Sequence, residues 1–96
     1  LLYTKQRMGD IMFLHIGGDY MVFIKDIIAI IDMERSTISQ DTRNFLKTSE
    51  EEGFIVNVDE NELPKSIIIT QGKYSNKVYL SPISTSTLYK RYLKTE

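Results

Sequence analysis

The chain has 96 residues, of which 42% are hydrophobic and 26% charged, and its formal net charge is −1. This composition is that of an ordinary soluble domain with one core, and it argues against a chain that is disordered throughout. No apolar run approaches the roughly 20 residues of a membrane-spanning helix, and the absence of cysteine excludes a disulfide framework and a thiolate zinc site. We therefore expect a cytoplasmic protein of one domain.

The small net charge conceals two oppositely charged parts of the chain. Residues 26–62 contain ten acidic and three basic residues. Residues 63–95 contain no acid and six basic residues, namely Lys65, Lys73, Lys77, Lys90, Arg91 and Lys94. Because partners respond to the local field, the basic third suits a polyanion, and the two parts also suit pairing between neighbouring copies. On composition alone, a solvated helix face whose cations favour the helix C-terminus is the better explanation of the last three cations.

The first half of the chain predicts three strands. Residues 12–16 and 20–24 read as short strands joined by a turn at Gly17-Gly18-Asp19, whose residues tolerate positive φ. Residues 27–31 are almost wholly apolar, and their isoleucines favour a strand buried on both faces over a helix. Residues 1–11 lack both this periodicity and the features of a secretory signal. We expect a disordered leader there, either an upstream extension or a remnant of cloning.

A helix is predicted to follow residue 36. Ser36 or Thr37 can cap it, and Thr37 with Gln40 forms a T-x-x-Q capping box. Gly53 supplies the residue with positive φ that ends such a helix. The side of the helix predicted to be buried consists of Ile38, Thr42, Phe45, Leu46 and Ser49.

Three further strands and a closing helix complete the prediction. Residues 54–58, 65–70 and 77–80 have strand composition, and the last two form a hairpin. A serine-rich segment then leads into the last helix. Its apolar stripe contains Leu88, Tyr89, Tyr92 and Leu93, and its outward cations are Lys90, Arg91 and Lys94. The predicted fold class is α+β, with a mostly antiparallel sheet of five to six short strands, one central helix and one C-terminal helix.

No group of residues indicates an enzyme. His15 is the only histidine, and none of the usual metal-ligand spacings surrounds it. Asp19, Asp26 and Asp32 would suit a cation if they met at one end of the sheet, but local hydrogen bonding at a turn or strand end is the better explanation of each. The serines near residue 84 have no histidine close in sequence. We expect no catalytic residue, no cofactor, no metal site and no small-molecule substrate.

Three blocks of the sequence together resemble one family. They are HIGGDYMVFIKDIIAIID at residues 15–32, PKSIIIT at 64–70 and YLSPISTSTLYKR at 79–91. They are similar to segments of the RemA/RemB family of small bacterial extracellular-matrix regulatory proteins, and the first and last blocks are closer to its RemB members. The resemblance implies one regulatory domain over residues 12–96, from a Gram-positive bacterium, that acts on genes for matrix production and biofilm formation.

The resemblance also implies a site. RemA-like relatives are understood as DNA-binding proteins that assemble into rings and present many weak basic patches to one duplex. It therefore implies a homo-oligomeric transcription regulator whose DNA contacts are Lys25 and Lys65. The acid-free C-terminal third adds Lys90 and Arg91 as a second group of expected contacts. Lys25 and Lys65 stand where RemA-like chains carry arginines, and lysine lacks the bidentate fork of arginine.

An alternative function stays open beside DNA binding. The acidic middle of the chain and the missing arginines favour an oligomeric protein-interaction module that binds another regulator and no nucleic acid. In that case the two oppositely charged parts would pair head to tail between subunits.

Overall fold

The computed structural model describes residues 12–73 and 75–94, and the predicted leader at residues 1–11 lies outside them. Within these residues the strands are β1 (Phe13–Gly17), β2 (Tyr20–Phe23), β3 (Ile27–Asp32), β4 (Ile55–Asn57), β5 (Ser66–Gln71) and β6 (Asn76–Ser81). The helices are α1 (Met33–Ser36), α2 (Gln40–Glu51) and α3 (Thr85–Leu93), and a short 3-10 turn at Ile24–Asp26 joins β2 to β3. The predicted α+β class is confirmed, and the single-turn helix α1 is an addition to it.

The strands form two sheets. β1 and β2 make an antiparallel hairpin, and the other four strands lie in the order β3-β5-β6-β4. All neighbours in the larger sheet are antiparallel except β4 and β6, which run parallel. The predicted hairpin of the C-terminal half is β5 with β6, in a register that places Thr70 opposite Lys77.

The core lies between the β1–β2 hairpin, one face of the larger sheet and α3. Alternation along β1 turns Leu14 and Ile16 inward and leaves Phe13 and His15 exposed, as expected for a strand with one buried face. The buried cluster consists of Leu14, Ile16, Val22, Val58, Ile68 and Leu88. Each of these side chains contributes about 1.5–3 kcal/mol through burial. Helix α2 lies against the opposite face, where Phe45 approaches Ile67 and Ile69.

A buried serine joins the hairpin to the larger sheet. The Ser81 hydroxyl donates to the backbone oxygen of Ile16 at 2.6 Å and accepts from the backbone N–H of Ile83 at 3.0 Å. Gly17 allows the end of β1 to approach Val58 closely, because an added Cβ would lie only 3.2 Å from Val58 Cγ1. Its φ of +119° is also a conformation that favours glycine. The hairpin therefore sits on the sheet in one defined position.

The predicted start of the central helix is wrong, whereas its predicted end is confirmed. Ser39 is the N-cap of α2 and accepts from the Thr42 N–H, and no capping box forms at Thr37. The Thr37 hydroxyl instead donates to the Met33 oxygen at 2.9 Å, because α1 uses this residue to end its own turn. Gly53 has a φ of +80° and closes the end of α2.

Two expectations about buried isoleucines also need correction. Ile38, predicted on the buried side of the central helix, precedes α2 and is 79% exposed. β3 is a strand as predicted, but it lies at the edge of the sheet and is not buried on both faces. Its pairing shifts between Ile27 and Ala29, which leaves Ile28 as an unpaired bulge residue that is 59% exposed.

We expect Ser81→Ala to lower the free energy of unfolding by about 1–3 kcal/mol, because the Ile16 oxygen and the Ile83 N–H would both lose a buried partner. Chemical denaturation followed by circular dichroism measures this change. Ser75→Ala, at an exposed serine of the β5–β6 turn, is the matched control and should be nearly neutral. Equal effects of the two substitutions would contradict the role given to Ser81.

Candidate functional site

Three lysines from two distant segments of the chain line one cleft. The cleft has a volume of about 440 Å³ and lies between β2 and the end of the β5–β6 hairpin. Lys25 comes from the 3-10 turn, Lys73 from the β5–β6 turn and Lys77 from β6. The full lining is Met21, Val22, Phe23, Lys25, Asp26, Thr70, Gly72, Lys73, Ser75, Lys77 and Tyr79. The lining therefore combines apolar side chains of β2 with charged side chains of the 3-10 turn and the β5–β6 hairpin.

Local backbone structure holds these side chains in place. The Ile24 N–H donates to the Met12 oxygen at 3.0 Å and fixes the turn that carries Lys25. The Gly72 N–H donates to the Ser75 oxygen at 2.9 Å and closes the β5–β6 turn. The Thr70 hydroxyl donates to the Lys77 oxygen at 3.2 Å, directly across the hairpin. The cleft is thus built by hydrogen bonds to the backbone rather than by flexible side chains alone.

One carboxylate faces the three ammonium groups. Asp26 is half-buried, and its Oδ2 lies so close to Gly72 that a Cβ there would be 3.2 Å away. The charge of Asp26 acts on the nearby Tyr79 hydroxyl. The three lysines and one aspartate leave the cleft with a formal charge of +2. This site attracts an anion and still offers one hydrogen-bond acceptor to a donor.

Tyr79 supplies a neutral hydroxyl at the same cleft. Burial raises the pKa of the Tyr79 hydroxyl above its ordinary value of 10.0, and the nearby Tyr20 and Asp26 raise it further. The Tyr20 ring meets the Tyr79 ring edge-on, with centroids 6.2 Å apart. Since the phenol stays protonated at neutral pH, it can donate a hydrogen bond to an anion.

The four residues predicted to contact DNA do not form one group. Lys25 lies at the cleft, whereas Lys65 precedes β5 at the other end of that six-residue strand. The rise along β5 separates the two ends by roughly 20 Å. Lys90 is exposed on α3. Arg91 donates from one guanidinium nitrogen to the His15 oxygen at 3.0 Å and contacts His15 Nδ1 at 3.2 Å, so it fastens α3 to β1.

The orientation of α3 differs from the predicted one. Leu88 is fully buried, but Tyr89, Tyr92 and Leu93 are 60%, 38% and 51% exposed. The helix turns Leu88 and Arg91 toward β1 instead, since these residues lie three positions apart on one face. The exposed stripe borders a second groove of about 600 Å³. Its lining is Ile24, Ile27, Ile28, Ala29, Ile30, Thr85, Ser86, Tyr89 and Tyr92.

His15 and Asp32 have local roles. His15 Nε2 donates to the Gly18 oxygen at 2.8 Å, which leaves Nδ1 to accept from Arg91. Asp32 accepts from the Arg35 N–H at 2.8 Å as the cap of α1, and β3 separates it from Asp26. Among the described side chains no three His, Asp or Glu residues are placed to hold a metal ion. No helix in that part of the chain has the length and hydropathy to cross a membrane.

Sequence comparison identifies relatives of this chain. The profile of a family described as "RemA-like: Extracellular matrix regulatory protein A-like" matches residues 13–92. The chain belongs to this RemA-like family. The Extracellular matrix regulatory protein B of Bacillus subtilis (strain 168) is 36% identical over 80 residues, which are 83% of this chain and 89% of that protein. The resemblance read from the three sequence blocks, including its RemB character, is confirmed.

Membership makes the chain an extracellular-matrix regulatory protein, and the RemA-like family is named for regulation rather than for catalysis. Two lysines of the cleft, Lys73 and Lys77, were not among the residues predicted to contact a ligand. The acid-free run in residues 63–95 was the signal that included them. Sequence alone does not show that they meet Lys25, because that depends on how the hairpin packs on the sheet.

We expect Arg91→Ala to lower the free energy of unfolding by about 1 kcal/mol, since the partly exposed His15 oxygen would no longer accept from a charged donor. Lys90→Ala removes the same charge from the neighbouring exposed position and should change stability little. Thermal unfolding of the two variants measures the difference. A fully stable Arg91→Ala variant would show that the Arg91–His15 contact does not hold α3 in place.

Proposed function

We propose that this RemA-like protein is a cytoplasmic, DNA-binding transcription regulator of extracellular-matrix and biofilm genes, and that it acts as a ring-like homo-oligomer. Family membership supports the regulatory part of this proposal. The observation that carries the DNA-binding part is the convergence of Lys25, Lys73 and Lys77 on one cleft. Cations grouped in this way neutralise phosphates without reading bases.

A single subunit would bind DNA weakly. It offers two or three phosphate contacts at the cleft, and each contact contributes through the release of counterions. An oligomer adds these contacts along one duplex, because the second subunit binds at a high effective concentration once the first is bound. The described residues contain no helix-turn-helix pair, so specificity would come mainly from DNA shape and the spacing of the subunits.

The surface proposed for self-association is the edge of the larger sheet beside α3. Among the described strands β3 lies at one edge of the larger sheet, and the exposed apolar side chains Ile28, Tyr89 and Leu93 lie on β3 and α3. Exposed edges and grouped apolar side chains are typical of interaction surfaces. A ring requires a heterologous contact, in which this surface meets a different surface of the next subunit.

The same apolar surface favours a second candidate function. A protein-interaction module would use β3 and α3 to hold another regulator and would bind no nucleic acid. The negative charge of Asp26, which lines the same cleft as the lysines, repels phosphate and so weakens its binding there. DNA titration separates the two functions.

We expect a duplex of roughly 40 base pairs, about four helical turns, to bind with a log affinity that falls linearly with log salt. Fluorescence anisotropy at several salt concentrations measures the slope. Lys25→Gln should weaken binding and reduce the slope by about 0.9 for each phosphate that is no longer neutralised. Lys47→Gln, at an exposed lysine of α2 outside the cleft, is the matched control and should leave the slope unchanged.

Two results of the titration would decide against these assignments. An absence of binding even near about 50 mM salt would favour the protein-interaction module. Binding that persists unchanged in Lys25→Gln but is abolished by Lys65→Gln would move the DNA surface to the other end of β5.

We expect the protein to be oligomeric at micromolar concentration and Ile28→Lys to shift it toward the monomer, because a charge would enter the proposed apolar contact. Light scattering coupled to size-exclusion chromatography measures the mass. Leu63→Lys places the same charge on an apolar residue that is 86% exposed in the loop before β5, and it should not change the mass. A monomeric parent protein would contradict self-association altogether.

A further inference from the structure

The interior of the cleft contains groups that a duplex backbone does not need. Phosphates and sugars can use the lysines and the Thr70 and Ser75 hydroxyls, but phosphate offers no donor to the half-buried carboxylate of Asp26. The lining also includes the apolar side chains Met21, Val22 and Phe23, which β2 contributes as the apolar wall of the cleft. A ligand that matches the whole cleft must therefore carry a negative group, a flat apolar part and a hydrogen-bond donor.

We propose that the cleft is a binding site for a nucleotide whose base carries an amino group. Its phosphate would lie against Lys25, Lys73 and Lys77, its base would pack on the apolar wall, and its amino group would donate to Asp26. The proposal rests on the cleft alone and does not depend on whether the protein binds DNA.

The size of the cleft is consistent with such a ligand. Its volume of about 440 Å³ falls within the usual range for small-molecule sites, and its lining has the usual composition of an apolar wall with a few convergent polar groups. Tyr79 adds a second argument, because its hydroxyl remains protonated at neutral pH and can donate to a phosphate oxygen beside the lysines.

The carboxylate determines which nucleotides fit best. Adenine, guanine and cytosine each carry an exocyclic amino group that can donate to Asp26, whereas uracil presents only carbonyl oxygens and one ring N–H. The ring N–H of uracil lies between two carbonyl oxygens, so a carboxylate that accepts from it also meets an oxygen that can only accept, which is unfavourable. Uridine phosphate should therefore bind more weakly than the amino-bearing nucleotides.

The proposal also predicts competition with DNA if both ligands bind. Lys25 is the one residue of the cleft predicted from the sequence to contact DNA, and it cannot pair with two phosphates in the same position. A bound nucleotide would then lower the affinity for DNA, and DNA would lower the affinity for the nucleotide by the same factor.

Isothermal titration calorimetry of the full chain tests the site with AMP, GMP, CMP, UMP, adenosine and inorganic phosphate as separate probes. We expect at least one amino-bearing nucleotide to bind, and UMP, adenosine and phosphate to bind at least about fivefold more weakly. Amide chemical shifts in an NMR titration should move at Thr70, Gly72 and Lys77. Binding without shifts at these residues would place the ligand elsewhere and overturn the proposal.

Two variants separate the charge and base parts of the site. Lys77→Gln should weaken AMP and GMP by roughly fivefold, and Lys47→Gln, its control on α2, should not. Asp26→Asn keeps the size of the side chain and adds a hydrogen-bond donor. The difference in affinity between UMP and the amino-bearing nucleotides should therefore disappear in this variant. Circular dichroism confirms that each variant is folded before its affinity is compared.

Nucleotides and nucleic acids both carry phosphate groups. Comparing mononucleotide with duplex binding shows which of the two ligands the cleft is built for. Binding of mononucleotides at the cleft by the parent protein supports the proposal whether or not a duplex binds. If duplex DNA binds and no mononucleotide does so at millimolar concentration, the cleft is only part of a DNA surface and the nucleotide site is refuted.

Discussion

The hydrogen bond from the Ser81 hydroxyl to the Ile16 oxygen joins two parts of the fold that would otherwise be independent. A two-stranded sheet is only marginally stable alone, so the β1–β2 hairpin depends on its position against the larger sheet. The buried side chains Leu14 and Ile16 supply most of the energy of this contact. The hydrogen bond adds direction, because it fixes where along β6 the hairpin sits. The cleft between β2 and the β5–β6 hairpin therefore exists only in the docked arrangement.

Docking also changes how the charges of the sequence are distributed. The chain has an acidic middle and a basic end, but Lys25, next to the first acid of the middle, joins Lys73 and Lys77 from the basic end. Lys65 belongs to the same basic end in sequence, yet it lies at the other end of β5. Charge segregation along a chain is therefore a poor guide to charge segregation on the folded surface. Local electrostatics has to be read from the positions that the strands impose.

Features set by short stretches of sequence could be predicted, and features set by long-range packing could not. The alternation in β1 and the glycine at the end of α2 identify their elements, because each signal is local. The predicted face of α3 is wrong in part. Leu88 is buried as predicted, but Arg91, predicted to face outward, contacts His15 of β1, and that contact depends on long-range packing. The cleft is predictable only in part for the same reason. The turn that carries Lys25 points to that residue, but its lysine neighbours come from a hairpin almost 50 residues later.

The 3-10 turn between β2 and β3 connects the cleft proposed to bind a ligand with the groove proposed for self-association. Ile24 lines the groove beside α3, whereas the next two residues, Lys25 and Asp26, line the cleft. Residues of one short turn cannot be positioned independently, because each shares its backbone with the next. A contact that orders Ile24 in an assembly therefore also restricts the two charged side chains. By linkage, a ligand that prefers this arrangement of the cleft favours assembly to the same extent that assembly favours the ligand.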